Sequence, residues 1–154
     1  MQANKGRDTR PELAVRRAVH ALGLRYRVSF RPIPTFRRTA DLVFTRAKVA
    51  VFVDGCFWHG CPEHHTVSAT HARFWADKIT RNRERARETN AILQEAGWIV
   101  MRFWEHQDPT LAARAVAVQM TSLHRDATAA ATESYRSTSP PHRPPRPPER
   151  DPHG

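Results

Sequence analysis

The sequence predicts one α/β (α+β) domain, a small mixed sheet with helices packed on its faces. Two apolar segments separated by only Thr45-Arg46-Ala47 predict an antiparallel hairpin, with strands at Ala40 to Phe44 and Lys48 to Asp54. The second strand is continuously apolar, which is typical of a central strand covered on both faces. Helical patterns precede this hairpin and separate it from one more strand, so the element order is α-β-β-β-α-β-α.

The first helix is expected to begin at a capping motif. Thr9 can cap the first turn, and Glu12 three residues later completes a capping box. Gly23 suits the end of this helix. Apolar and polar residues then alternate from Leu24 to Phe30, which predicts the first strand.

The remaining elements follow the Cys- and His-rich segment. A long charged helix is expected from about His71 to Ala96, and it should end at Gly97. The last strand is predicted at Trp98 to Trp104. Asp108-Pro109 then predicts the start of a last helix that runs to about Leu123.

The C-terminal segment differs in composition from the rest of the 154 residues. Seven of the twelve prolines lie between positions 140 and 152, among Arg and Ser residues. Such a segment cannot bury enough apolar surface to fold. We therefore predict a folded domain at residues 1–126 and a disordered tail rich in Pro and Arg at residues 127–154.

The charge balance points to a polyanionic partner. The chain has 25 basic and 15 acidic side chains, a formal net charge of +10. This excess favours nucleic acid as the partner, and a well-solvated basic surface is the alternative. No apolar run is long enough to cross a membrane, and no signal-peptide pattern is present, so a cytoplasmic protein without a membrane partner is expected.

Cysteines and histidines between positions 56 and 65 predict a metal site. Cys56 and Cys61 can offer thiolates, and His64 or His65 an imidazole, which suits tetrahedral Zn²⁺. His106, just after the last strand, is a candidate fourth ligand. The alternative is a pair of reduced, buried cysteines beside surface histidines.

Three acidic residues predict a second site, for Mg²⁺. Antiparallel pairing brings Asp41 and Asp54 side by side, and Glu12 on the first helix can approach them. Such an ion can activate water and stabilise charge on a phosphodiester during hydrolysis. Taken singly, each acid could instead be a helix cap, a turn former or a member of an ion pair.

The residues between the two predicted metal sites suggest catalysis and DNA contact. His59 can transfer a proton near neutral pH, or it can be a zinc ligand or an ordinary loop histidine. Phe57 and Trp58 can wedge between base pairs, or they can pack beneath the loop.

A charge run on the long helix is the last candidate feature. Its basic members are Lys78, Arg81, Arg83, Arg85 and Arg87. Asp77, Glu84 and Glu88 are interleaved with them, so the run is typical of a solvated face, and contact with phosphates would be unspecific.

With these residues identified, the chain resembles the very short patch repair (Vsr) DNA mismatch endonucleases. The Gly-Cys-Phe-Trp-His core from Gly55 to His59 is highly specific for that family. The matching segments are Asp8–Leu13, Ala40–Asp41, Val53–Pro62, Phe74–Trp75, Lys78, Asn82, Gly97–Trp98 and Phe103–Glu105. The resemblance implies a variant of the restriction-endonuclease core, which agrees with the predicted element order.

The resemblance also implies an activity and its partners. Members of the family nick one strand 5′ to the thymine of T:G mismatches, which arise when 5-methylcytosine deaminates. The expected partner is therefore double-stranded DNA with a T:G mismatch, bound by a monomer. A functional link to a DNA cytosine methyltransferase and a repair polymerase is expected as well.

Carried over by position, the resemblance assigns roles to the candidate residues. Asp41 corresponds to the Mg²⁺-binding aspartate, assisted by the backbone carbonyl of Val53. His59 corresponds to the catalytic histidine, and Glu12 to the acid that supports the metal and its water. Phe57 and Trp58 correspond to the aromatic pair that intercalates beside the mismatch.

The resemblance also bears on the zinc ligands and on the role of Asp54. The family's structural zinc would be held here by Cys56, Cys61, His64 and His106, where His106 replaces a more familiar cysteine. Asp54 occupies a position that is histidine in the best-known member. It can bind metal, orient water or take no part in catalysis.

Two alternative functions remain at this point. The first is a nuclease of the same fold that cuts another DNA structure, such as a nick, a flap or a modified base. The second is a zinc-stabilised DNA-binding module without catalysis. The presence of Asp41, His59 and Glu12 together argues against the second, because a binding module does not need all three.

Overall fold

The computed structural model describes residues 8–56, 61 and 71–138. The elements in chain order are α1 (Arg10–Ala21), β1 (Arg27–Phe30), β2 (Ala40–Phe44), β3 (Val49–Asp54), α2 (Ala72–Glu95), β4 (Ile99–Trp104) and α3 (Pro109–Thr138). This order confirms the predicted mixed α/β arrangement.

The four strands form one sheet in the order β1-β2-β3-β4. β1, β2 and β3 pair antiparallel, and Leu42 lies opposite Val51 in the predicted hairpin. β3 and β4 pair parallel, with Asp54 opposite Trp104. A parallel pair needs a long crossover, and the chain between β3 and β4 includes α2.

The centre of the sheet is the core of the fold. Leu42, Val49 and Val51 have no exposed surface, which fits the continuously apolar pattern of the central strands. On one face, Ala50 and Phe52 cluster with Leu93 of α2. This packing holds α2 against the strands that end at the candidate site.

The N-terminal helix begins and ends as the sequence predicts. The Thr9 amide donates a hydrogen bond to Glu12 Oε2 at 3.3 Å, as in a capping box. Gly23 follows the helix with a φ of +83°, a conformation that glycine adopts without steric cost. The Tyr26 hydroxyl donates to the Arg16 carbonyl at 2.6 Å, which ties α1 to the segment leading into β1.

The last helix is longer than the sequence pattern suggests. It extends to Thr138, whereas the loss of apolar periodicity predicted an end near Leu123. Ala127 and the run Ala129–Ala131 explain the difference, because alanine has the highest helix propensity even where no face is apolar.

The chain divides into two compact units, Met1–Thr121 and Ser122–Gly154. Both candidate sites lie in the first unit. The second unit is described as helix up to Thr138, and the predicted boundary of a tail at residue 127 stays a prediction. Within the described ranges, every helix is too short or too polar to traverse a lipid bilayer.

Candidate active site and metal centre

Both predicted sites lie at one edge of the sheet. β3 and β4 run parallel, so Asp54 and Trp104 end side by side at this edge. β2 runs antiparallel to β3, so its first residues, including Asp41, begin there. The chain then continues from β3 into Cys56 and from β4 into His106. The topology therefore gathers acids, thiols and an imidazole in one region.

Asp41 is held by the neighbouring strand. The Val53 amide donates a hydrogen bond to Asp41 Oδ2 at 2.7 Å, which leaves Oδ1 for another partner. Burial raises the pKa of Asp41 from its ordinary value of 3.8 to about 7, and the negative charges of Glu12 and Asp54 contribute to the same rise. The Val53 hydrogen bond and the Arg16 charge act in the opposite direction. We call Glu12, Asp41 and Asp54 the acid cluster.

Glu12 combines its capping role with a place in the acid cluster. The residue is only 5% exposed, and its Oε2 accepts a hydrogen bond from the Thr9 amide. Oε2 also lies 3.5 Å from Arg16 Nη2, and Arg16 Nη1 pairs with Asp8 at 2.7 Å. The predicted capping bond is therefore present, and the negative charge of Glu12 also acts on Asp41.

Asp54 forms an ion pair that the sequence analysis did not predict. Arg102 Nη1 donates to both carboxylate oxygens of Asp54, at 2.9 and 3.2 Å. The side chains of Arg102 and Asp54 are 21% and 13% exposed, so the pair is largely shielded from water. Arg102 Nε also donates to Asn90 Oδ1 at 2.7 Å, and its guanidinium lies 4.2 Å from the centre of the Phe52 ring.

Arg102 is the main site residue that sequence reasoning missed. It is the single charged residue in the otherwise apolar segment from Trp98 to Trp104, and that was the available signal. A charged side chain in a strand is rarely buried without a partner. The parallel register places it opposite Phe52, two residues before Asp54, and this pairing follows only from the sheet topology.

The second group of polar side chains is formed by Cys56, Cys61 and His106, which we call the Cys/His cluster. One ligand atom from each lies within 4.8 Å of the others. His106 Nδ1 is 3.1 Å from Cys56 Sγ and 3.6 Å from Cys61 Sγ. Both cysteines are free thiols and buried. The structure brings the two cysteines and His106 together, as a shared metal site would require.

These distances fit a tetrahedral metal ion. Ligand bonds of about 2.3 Å to sulfur and about 2.0 Å to nitrogen place the two atoms about 3.5 Å apart at a tetrahedral angle. Two thiols and one imidazole are also the chemical types that zinc prefers. The Cys/His cluster can therefore hold a metal with three of four ligands from the described residues.

The backbone around the Cys/His cluster is fixed by hydrogen bonds. The Cys56 amide donates to Glu105 Oε1 at 2.9 Å, and the Cys61 amide donates to the Cys56 carbonyl at 2.9 Å. The Glu105 amide in turn donates to the Asp54 carbonyl at 2.9 Å. Burial, followed by a hydrogen bond with Cys61, raises the pKa of Cys56 to about 11. A bound cation would therefore be needed to keep this thiol ionised.

Several predicted site residues lie outside the described residues. They are Phe57, Trp58, His59, His64 and His65. Their assignments to intercalation, proton transfer and zinc binding stay predictions. Val53 is described, and its amide rather than its carbonyl makes the contact with Asp41 reported above.

Comparisons with known proteins identify the family of this chain. A family model described as DNA mismatch endonuclease Vsr matches residues 1–66. The type II nicking enzyme V.NaeI of Lentzea aerocolonigenes is 46% identical over 126 residues, which cover 80% of this chain and 74% of that enzyme. The type II nicking enzyme V.NmeDIP of Neisseria meningitidis serogroup C is 44% identical over 108 residues, covering 69% of this chain and 71% of that enzyme.

A third relative is named as a mismatch endonuclease. The DNA mismatch endonuclease Vsr of Escherichia coli is 37% identical over 109 residues, which cover 68% of this chain and 66% of that protein. The residues that match the family model include the whole acid cluster. The chain belongs to the Vsr family of DNA endonucleases, which have a restriction-endonuclease-like fold.

Proposed function

We propose that this endonuclease is a Mg²⁺-dependent enzyme that nicks DNA 5′ to the thymine of T:G mismatches arising from deaminated 5-methylcytosine. The observation that carries the proposal is the acid cluster, in which three carboxylates converge at the edge of the sheet beside a strand end. The name of the Escherichia coli relative supports mismatched DNA as the substrate.

The acid cluster suits a hard divalent cation. Asp41 Oδ1 and the Val53 backbone carbonyl would hold the ion, and Glu12 would orient water around it. The cation would also remove the electrostatic cost of three neighbouring carboxylates, which contributes, after burial, to the raised pKa of Asp41. Magnesium, when bound, activates water and stabilises the negative charge that develops on a phosphodiester under hydrolysis.

Asp54 has a different role in this proposal from Asp41. Its two oxygens already accept hydrogen bonds from Arg102, so the pair favours a positioning role over direct metal binding. The negative charge of Asp54 then acts on Asp41 through space. His59 would move the proton during hydrolysis, and Phe57 and Trp58 would intercalate beside the mismatch.

The Cys/His cluster would hold a structural Zn²⁺, with His64 as the fourth ligand. Its residues follow β3 and β4 in the chain, so a metal there would tie together the ends of the two strands that border the acid cluster. This position makes zinc a support for the active site rather than a participant in the reaction. We also propose that the protein acts as a monomer and is functionally linked to a DNA cytosine methyltransferase and a repair polymerase.

The proposal is tested by a nicking assay on end-labelled duplexes. The substrates carry a central T:G mismatch, a C:G pair or a nick-flap junction in varied sequence contexts, with and without added Mg²⁺. One metal-dependent nick 5′ to the mismatched thymine is the expected result. Equal cleavage of the paired duplex, or cleavage restricted to the flap junction, would contradict T:G specificity. Binding of DNA without any cleavage would favour a non-catalytic module.

A further inference from the structure

A cavity opens beside the acid cluster, on the side of the sheet where α2 packs. It has a volume of about 370 Å³, and its lining includes Asp54 and three arginines, Arg38, Arg85 and Arg102. We call it the arginine cleft. Because Asp54 is both part of its wall and a neighbour of Asp41, the cleft borders the candidate active site.

One face of α2 contributes to the arginine cleft. Asn82, Arg85, Ala86 and Thr89 line it, and their spacing of three, four and seven residues puts them on the same side of the helix. Among the basic members of the α2 charge run, only Arg85 is part of this lining. The run is therefore not a uniform solvated face, since one of its arginines is directed to the site.

The three arginines differ in how fully their charge is neutralised. Arg102 is held by Asp54, by Asn90 and by the Phe52 ring, so its charge is already matched. Arg38 lies 4.0 Å from Glu88, whose side chain is 62% exposed, so this contact is weak.

Arg85 is the arginine whose charge is least engaged. Within the described part of the chain, its guanidinium makes no hydrogen bond or ion pair, although its backbone carbonyl accepts a bond from Thr89. With Arg102 and Asp54 paired, the charges of Arg38 and Arg85 give the cleft a net positive charge.

We propose that the arginine cleft binds a backbone phosphodiester of the DNA strand, next to the one that is cut, through Arg85 and Arg38. Guanidinium groups bind phosphate oxygens with paired hydrogen bonds, and a positively charged concavity beside the reaction site would hold the strand in register. The inference rests on the proposed function, since it requires a DNA strand to cross the acid cluster. It assigns Arg85 and Arg38 to strand positioning and not to base recognition.

The test compares Arg85→Gln with Arg87→Gln. Both residues are exposed arginines on α2, but Arg87 is not part of the cleft lining. Binding of labelled T:G and fully paired duplexes is measured without added Mg²⁺ over a series of salt concentrations. Arg38→Gln is measured in parallel as the second cleft arginine.

For Arg85→Gln we expect binding about tenfold weaker at low salt, equally for both duplexes, because a phosphate contact carries no sequence information. The slope of log affinity against log salt should fall by about one, so the deficit should shrink roughly fourfold between about 50 and 200 mM salt. Arg87→Gln should bind like the wild type, and Arg38→Gln should change in the same direction as Arg85→Gln.

Two results would overturn the inference. Equal salt slopes for Arg85→Gln and Arg87→Gln would show that Arg85 does not contact a phosphate. A loss of binding confined to the T:G duplex would show that Arg85 reads a base instead. If the proposed function is wrong, the wild-type protein itself does not nick the T:G duplex in Mg²⁺. This result is distinct from any change in the binding of the arginine variants.

Discussion

The acid cluster and the Cys/His cluster lie at the same edge of the sheet, but their side chains are held differently. The acids are carried by regular elements: Glu12 by the first turn of α1, Asp41 by β2 and Asp54 by β3. Their positions are set by the Thr9 amide, the Val53 amide and Arg102. This geometry can therefore persist without a cation.

The Cys/His cluster is formed by residues that follow β3 and β4 in the chain. Backbone hydrogen bonds hold Cys56 and Cys61, and the two thiols and the imidazole meet as a ligand set for a metal ion. A bound metal ion would join the three side chains directly. Loss of a metal ligand should therefore lower stability at the Cys/His cluster and impair chemistry at the acid cluster.

The largest effect on stability is expected for His106→Ala compared with His20→Ala. Both histidines are exposed, so truncation removes little packing from either. Only His106→Ala should lose bound zinc, and it should lower the melting temperature by about 10 °C, which corresponds to about 2–3 kcal/mol for a domain of this size. Metal analysis and thermal unfolding measure both. Equal zinc content and equal melting temperatures in the two variants would refute the structural metal site.

Arg102→Ala is expected to have the next largest effect. It removes the guanidinium that pairs with the shielded Asp54 carboxylate, which should cost about 1–2 kcal/mol because both side chains keep some exposure to water. The more exposed pair of Arg38 with Glu88, whose side chains are 33% and 62% exposed, is the control, and Arg38→Ala should cost less than about 1 kcal/mol.

A double variant distinguishes the charge of Arg102 from its packing against Phe52. Adding Asp54→Asn to Arg102→Ala should recover a substantial part of the loss, because the shielded carboxylate charge is then removed as well. Denaturant unfolding supplies the free energies. If the loss of unfolding free energy in the double variant equals the sum of the losses in Arg102→Ala and Asp54→Asn alone, Arg102 acts only through packing on Phe52.

Asp41→Asn should show a smaller effect that depends on pH. The folded protein without divalent cations has an Asp41 pKa of about 7, compared with 3.8 ordinarily. It therefore retains a proton that the unfolded chain loses, and its stability should fall as the pH rises from about 4 to 7. Asn removes this penalty, so the variant should match wild type near pH 4 and exceed it above pH 7.

The size of this gain is bounded by the difference between the folded and unfolded pKa values of Asp41. A tenfold change in proton affinity corresponds to about 1.4 kcal/mol, so the gain should not exceed a few kcal/mol. The free energy of unfolding is measured with denaturant at several pH values. Asp77 is an exposed acid on α2, and Asp77→Asn is the control. A gain that is the same at pH 4 and pH 8 would mean that Asp41 titrates normally.

The contrast between the clusters also explains what the sequence could predict. β2 and β3 were recognised almost to the residue because a central strand pair is apolar throughout and joined by a short turn. The proximity of Asp41 and Asp54 was predicted from the antiparallel pairing of β2 and β3, whereas Glu12 was expected to approach them from the first helix. The capping box was evident because its partners are three residues apart.

The contacts that were missed depend on tertiary register. Arg102 reaches Asp54 only because β4 pairs parallel with β3, and no local pattern specifies that register. Arg85 could not be separated from its neighbours in the α2 charge run until the packed face of the helix was known. The end of α3 was misplaced because apolar periodicity was weighted above alanine propensity.

Catalysis by the acid cluster is tested by the rate at which Asp41→Asn nicks a T:G duplex. Asn can still accept the Val53 hydrogen bond, so the fold and DNA binding should be retained. We expect a loss of at least about 100-fold in Mg²⁺-dependent nicking. Nicking at the wild-type rate, with unchanged dependence on Mg²⁺, would contradict it.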